Sequence, residues 1–171
     1  MVKKQLKIIE GTKFDIKDGG IVVSGKLGNT EVDLNRLVEI NIDNGLCFKS
    51  LEDKDSGMLG TSYVLVKNAM SDLNTGVVAK LKMIGVGFKA SVSGQFLRLY
   101  VGLSHDVFFA IPKDIKVVVN NDTEITISGN NRGNVMQFAR SVRDIKKPEP
   151  YKGKGIFLND EKVVRKEGKK K

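Results

Sequence analysis

The chain reads as an α+β protein built from two tandem copies of a small antiparallel sheet packed on one helix. Three observations predict this. Short apolar or alternating segments are separated by Gly, Asn and Asp turn signals, and each half closes with one amphipathic helix. Corresponding elements, such as Val38–Ile42 and Ile115–Val119, lie roughly 75–80 residues apart. The predicted modules are residues 1–75 and 76–171. Residue identity between the halves is low, so an accidental match of two α+β patterns is the competing reading.

In the first half, Ile21-Val22-Val23, Val32-Asp33-Leu34, Val38–Ile42 and Leu46-Cys47-Phe48 read as strands, with turns at Asp18-Gly19-Gly20, Gly28-Asn29 and Asp43-Asn44-Gly45. A helix follows. Leu59, Tyr63, Val66, Met70 and Leu73 recur at steps of four and three, Ser56 is a candidate N-cap, and Asn74-Thr75-Gly76 is the stop.

The second half opens with Val78–Ile84, in which charged and apolar side chains alternate as in a strand with one wet face. This element is expected in the second copy alone. Gly85-Val86-Gly87 interrupts it before the alternation resumes at Phe88–Val92, which suggests a bulge or a close backbone approach. Leu97–Val101, Val107–Phe109, Ile115–Val119 and Glu124–Ile127 follow as strands, with a turn at Asn120-Asn121-Asp122. The second helix starts near Asn131 and runs through Val135, Phe138, Val142 and Ile145 until Pro148 forbids its continuation.

A chain of 171 residues with 40% hydrophobic and 29% charged residues can bury a stable core. No apolar run approaches the roughly 20 residues needed to span a bilayer, and Met1–Lys7 lacks the apolar core of a secretory signal. Cys47 is the single cysteine, flanked by Leu46 and Phe48, and is expected to act as a small core side chain. The expectation is a soluble intracellular protein.

Charge separates the halves. Residues 1–75 carry 10 Lys/Arg against 11 Asp/Glu, whereas residues 76–171 carry 19 against 9, so the net charge of +9 comes from the second half. Residues 146–171 alone hold 10 basic and 4 acidic side chains. Such asymmetry marks a half that faces a polyanion, most often nucleic acid and less often an anionic membrane, or else a tail that serves solubility.

Enzyme chemistry finds little support. Gly85-Val86-Gly87-Phe88-Lys89-Ala90 has G-x-G but no third glycine and no following helix, and no Walker-type loop is present. The lone His105 stands beside Ser104 and Asp106, but three consecutive residues do not assemble a nucleophile–base–orienter relay. One histidine and one cysteine, 58 positions apart, speak against a zinc site. His105 is therefore either a turn residue that hydrogen-bonds locally or a contact to an RNA backbone. Glu52, Asp53 and Asp55 read as a solvated loop. No catalytic residue, metal, cofactor or small-molecule substrate is expected.

What does concentrate is basic surface. On a helical wheel Arg140, Arg143 and Lys147 fall within about 60° of one another, with Arg132 close by. Taken alone they could be an ordinary solvated face; continuity with Lys146 through Lys154 points to phosphate contacts. Pro148-Glu149-Pro150-Tyr151-Lys152-Gly153-Lys154-Gly155-Ile156 then reads as a strap. Its prolines stop the helix, its glycines let backbone approach a surface, and Tyr151, Lys152 and Lys154 point toward a phosphate backbone. Arg165, Lys166, Lys169, Lys170 and Lys171 form an extension that orders on RNA, or a plain disordered tail.

That nine-residue strap resembles the signature of the bacterial and organellar large-subunit ribosomal protein six family. Gly85–Ala90, Gly102-Leu103-Ser104-His105, Arg140-Ser141-Val142-Arg143 and Val164–Lys169 follow the family order and spacing across residues 76–171. The resemblance implies a non-enzymatic constituent of the large ribosomal subunit, with two copies of one α+β module. It further implies a second module that binds large-subunit rRNA near the sarcin–ricin loop and the base of the factor-recruiting stalk. The contacts it implies are Gly85, Gly87, Ser104, His105, Tyr151, Lys152 and Lys154, and Gly153 between the two strap lysines is counted with them as an RNA-binding position. The basic positions Arg132, Arg140, Arg143, Lys146, Lys147, Arg165, Lys166 and Lys169 support them. Partners would be rRNA and neighbouring ribosomal proteins, without a membrane, in a bacterial cytoplasm or a mitochondrial matrix. The chain departs from the family pattern at Tyr63, Leu103, Asp106 and its N-terminus, and no RNA contact is assigned to the first module. The alternative is a two-domain binding module for another RNA or anionic partner.

Overall fold

Period-two alternation places every second side chain of a strand on one face, and the Lys-rich run after Gly76 obeys it throughout. Val77, Ala79, Leu81 and Met83 are buried while Val78, Lys80, Lys82 and Ile84 are exposed. The computed structural model describes residues 3–9, 11–17, 19–34, 38–42, 45–50, 56–159 and 161–168. The chain divides into two compact units, Met1–Gly76 and Val77–Lys171. Asp18, Asp43, Asn44, the acidic run Glu52, Asp53 and Asp55, and the side chain of Ser56 lie outside the described residues, as do Lys169, Lys170 and Lys171.

In the first unit, β1 (Lys3–Leu6), β2 (Lys13–Lys17), β3 (Gly20–Gly25), β4 (Gly28–Asp33), β5 (Val38–Ile42) and β6 (Leu46–Ser50) precede helix α1 (Ser56–Thr75). They form two antiparallel sheets, β2-β3-β4 and β1-β6-β5. Ile21, Val23, Leu46 and Phe48 meet Leu59, Val66, Met70 and Leu73 of α1 in one core. Phe48 and Tyr63 pack edge to face, with ring centroids 5.9 Å apart. Cys47 is corrected from a core side chain to a half-buried one: the fully buried Leu46 and Phe48 take the core face of β6, so the residue between them points to the other face.

The second unit contains β7 (Val77–Ile84), β8 (Lys89–Ser93), β9 (Phe96–Tyr100), β10 (Val107–Ala110), β11 (Ile115–Asn121), β12 (Glu124–Gly129), helix α2 (Arg132–Asp144) and β13 (Gly155–Leu158). Its sheets are β8-β9-β10 and β11-β12-β7-β13, antiparallel throughout. Asn131 caps α2: its Oδ1 accepts from the Gly133 amide at 2.8 Å and the Asn134 amide at 3.3 Å. Val135, Phe138, Ala139 and Val142 of α2 pack onto Ala79, Leu81, Ile125, Ile127 and Ile156, and Phe138 meets Phe109 edge to face.

The two units repeat one plan. β2 and β8 begin at Lys13 and Lys89, β3 and β9 at Gly20 and Phe96, and α1 and α2 at Ser56 and Arg132, so each pair is offset by 76 residues. β5-β6 and β11-β12 are likewise matching hairpins. One expectation is corrected by this correspondence. The Val78–Ile84 strand is not confined to the second copy, because β1 pairs with β6 as β7 pairs with β12. The element peculiar to the second unit, among the described residues, is β13. A second correction concerns Gly85-Val86-Gly87. It is a turn rather than a bulge, and the alternation beyond it belongs to a different sheet.

Candidate nucleic-acid interface

Helix α2 ends four residues before Pro148, and the strap that follows is shaped by its own hydrogen bonds. The Glu149 amide donates to the Lys154 carbonyl at 2.8 Å, and the Gly153 amide donates back to the Glu149 carbonyl at 3.1 Å. The Ile156 amide donates to the Lys146 carbonyl at 2.8 Å, and Ile156, fully buried, pairs with Met83 in the β13–β7 ladder. Gly155 has φ +141°, and a Cβ there would stand 2.7 Å from both the Lys147 carbonyl oxygen and the Pro148 Cα. The glycine is thus required by the strap's own backbone, which folds against the end of α2. Tyr151, Lys152 and Lys154 are left exposed on the outside of the turn. Gly153 is buried beneath the Arg165 guanidinium, whose Nη2 lies 3.2 Å from where a Cβ would stand.

The chain beyond β13 returns to this strap. Asn159 (φ +50°) turns it, while its Oδ1 accepts from the Lys80 amide at 2.9 Å and its amide donates to the Lys80 carbonyl at 2.6 Å. Glu161 then meets Arg143 on α2. Arg143 Nε donates to Oε2 at 3.2 Å, Nη2 donates to Oε1, and the Leu158 amide adds a bond to Oε2 at 3.4 Å. Hydrogen bonding to Arg143 holds the Glu161 carboxyl below its usual range, and the same bond raises the Arg143 guanidinium. Asp144 also accepts from Arg143 Nη1 at 3.2 Å. Farther along, the Lys166 amide donates to the Pro150 carbonyl at 3.0 Å, so Arg165 and Lys166 lie against the strap.

Three stretches far apart in sequence meet at one end of the second unit. Gly155 pairs with Ile84, the last residue of β7, which sets the strap beside the Gly85 turn. Phe88 joins that turn to the β9–β10 loop. Its ring lies 2.7 Å from where a Gly85 Cβ would stand and 3.4 Å from where a Gly102 Cβ would stand. Gly85 is therefore needed for close approach of a side chain, whereas Gly87 takes the left-handed turn position at φ +75°. Ser104 and His105 are exposed in the loop after Gly102, with Ser104 Oγ 3.4 Å from His105 Nδ1. Asp106 closes the loop by accepting from Arg98 Nε at 2.7 Å and from Nη2.

The basic helix positions do not all join this cluster. Arg140 lines the same cleft as Arg143 and Glu161, and Lys146 and Lys147 lead directly into the strap. Arg132 sits at the opposite end of α2, roughly 18 Å along the axis from Asp144. Arg143 shares its charge with two carboxylates and acts as the anchor of the returning chain. Lys169 lies outside the described residues. Glu161 and Asn159 were not legible as parts of the site, because each acts through a partner many residues away and no local pattern marks it. Among the described residues no group of three His, Cys, Asp or Glu side chains is placed to hold a metal ion, and no helix is long and apolar enough to cross a membrane.

Residues 84–157, which span all three loops, match the family described as Ribosomal protein L6. The chain is 42% identical to the large ribosomal subunit protein uL6 of Delftia acidovorans, covering 100% of this chain and 98% of that one. It is 37% identical to the uL6 proteins of Ralstonia pickettii and Metamycoplasma arthritidis, covering 99% and 96% of this chain and 97% and 93% of theirs.

Proposed function

The chain belongs to the ribosomal protein L6 family, whose members are structural, rRNA-binding and non-enzymatic components of the large ribosomal subunit, and from that premise we propose that its second unit docks onto large-subunit rRNA through the loop end just described. The observation that carries the reading is the convergence of the strap, the Gly85–Gly87 turn and the Ser104–His105 loop. Tyr151, Lys152 and Lys154 project from the strap, Arg165 crosses Gly153, and Lys146 and Lys147 lead in from the helix. Ammonium and guanidinium groups held on a fixed backbone replace condensed counterions on phosphates, and their release drives association. Rigid loops add recognition of RNA shape, which an A-form groove demands because its base edges are hard to reach.

The docking site we propose lies near the sarcin–ricin loop and the base of the factor-recruiting stalk, with neighbouring ribosomal proteins as further partners. Bacterial relatives support a ribosome of the bacterial type, found in the bacterial cytoplasm or the mitochondrial matrix. The test is salt-dependent binding of the full chain to a large-subunit rRNA fragment carrying that loop. Lys152→Glu with Lys154→Glu should lower the slope of log affinity against log salt by roughly 2, at about 0.9 per phosphate contact. An unchanged slope and normal co-sedimentation with large subunits would remove the strap from the interface.

A further inference from the structure

The sheet β8-β9-β10 has two unlike faces. Ala90, Leu97, Leu99 and Phe109 pack inward, whereas Phe96, Tyr100 and Phe108 point out and are 50%, 49% and 60% exposed. The chain has only 8 Phe and 3 Tyr, so three of its eleven aromatic rings stand on one exposed face. Arg98 sits among them, paired across the strands with Phe108 and two residues from both Phe96 and Tyr100. Its Cζ lies 5.7 Å from the Phe108 ring centroid, and Asp106 holds the guanidinium there through Nε at 2.7 Å. Lys89 faces Tyr100 across β8 and β9. Beside Tyr100 opens a cleft of about 300 Å³ lined by Lys89, Ser91, Arg98, Tyr100, Asp106 and Asp122.

We propose that this face is a stacking platform for unpaired RNA nucleotides; the inference rests on the reading that the second unit binds rRNA. Rings and a fixed guanidinium on a flat sheet offer planes to nucleobases, the arrangement by which single-stranded bases are held without sequence readout. Asp106 neutralises Arg98, so the centre of the face attracts base planes rather than phosphates, and Lys89 at the rim supplies the cation for the backbone. An apolar protein partner would have to desolvate the Arg98–Asp106 pair. A base stacked on the guanidinium leaves the carboxylate edge in water. The platform is also continuous with the loop cluster: Tyr100 precedes the Gly102–His105 loop, and Lys89 follows the Gly85–Gly87 turn. An RNA strand leaving those loops reaches the rings directly.

The test uses the full chain and a single-stranded oligoadenylate carrying one 2-aminopurine. Binding should quench the 2-aminopurine fluorescence. Tyr100→Ser with Phe108→Ser should weaken binding about tenfold or more per ring, abolish the quench, and leave the salt slope and the far-ultraviolet circular dichroism spectrum unchanged. Tyr100→Phe with Phe108→Tyr should bind as the original does. Absence of quenching in the original chain, or binding by the serine variant within twofold of it, overturns the platform. So does a serine variant that binds RNA normally but drops out of assembled subunits, which would make the face a protein contact. None of these outcomes touches the strap, whose own test is the loss of salt slope in the Lys152/Lys154 variant.

Discussion

Replacing Glu161 with glutamine removes a negative charge from the basic unit, so long-range electrostatics alone favours tighter RNA binding. The geometry calls for the reverse. Glu161 accepts two bonds from Arg143 and one from the Leu158 amide, and the two side chains are 27% and 28% exposed. A bidentate pair at that depth lies above the 0.2–1 kcal/mol of a fully exposed pair and well below the 3–5 kcal/mol of a buried one. We assign it about 1.5 kcal/mol, the middle ground between those limits. At about 1.4 kcal/mol per decade, opening of residues 161–168 becomes roughly tenfold more frequent. Arg165 and Lys166 leave the strap with each opening. The expected result for Glu161→Gln is about tenfold faster hydrogen exchange at the Lys166 amide and rRNA binding weakened by a few-fold. The swapped pair, Arg143→Glu with Glu161→Arg, should restore part of both. Tighter binding by Glu161→Gln, or unchanged exchange at Lys166, would show that the Arg143–Glu161 pair does not hold the returning chain on the strap.

The same latch carries a pH dependence. The folded-state pKa of Glu161 is depressed, so its stabilisation is present above the ordinary carboxylate range and is lost as pH falls through the lowered value; protection of the Lys166 amide, corrected for intrinsic exchange, should hold from neutral pH to roughly pH 5 and then decline. Gly155→Ala puts a Cβ 2.7 Å from the backbone of Lys147 and Pro148 at φ +141°. It should cost about 2–3 kcal/mol, read as a lowered urea midpoint at constant slope. Asn131→Ala removes the cap of α2 and should cost about 1 kcal/mol by the same measurement, with little effect on RNA binding because the cap lies at the far end of the helix.

Legibility in the sequence followed the range of the interactions. Local periodicity marked β7, β9, β11, β12 and both helices, because alternation and three–four spacing are recorded within a few residues. It missed β1 and β2, whose sequences Lys-Lys-Gln-Leu and Lys-Phe-Asp-Ile-Lys are polar. Both are outer strands of their sheets, where lysine is common in the sequence and hides the apolar signal. It missed β13 because Gly155-Ile156-Phe157-Leu158 is too short to show a period and gains its identity from pairing with β7. The strap stood out by composition alone. The anchor did not: Arg143 and Glu161 are eighteen residues apart, and a guanidinium on an exposed helix face gives no sign of whether it meets a phosphate or a carboxylate. The glycines showed the same limit. Their need for space was legible, but the neighbours that impose it, Pro148, Phe88 and Arg165, were not.

The pairing of β13 with β7 bears on how the protein is made. Synthesis runs from the N-terminus, so β7, β12 and α2 are all available while residues 155–158 have yet to emerge. Until they do, β7 keeps an unpaired row of amides and carbonyls from Lys80 to Ile84 along its outer side, a template for pairing with another chain. Adding β13 closes that edge and in the same step draws the strap to Ile84, beside the Gly85 turn. Protection from self-association and completion of the loop end proposed to meet RNA are therefore one event, reached only when the last strand is in place. A prematurely terminated chain would lack both.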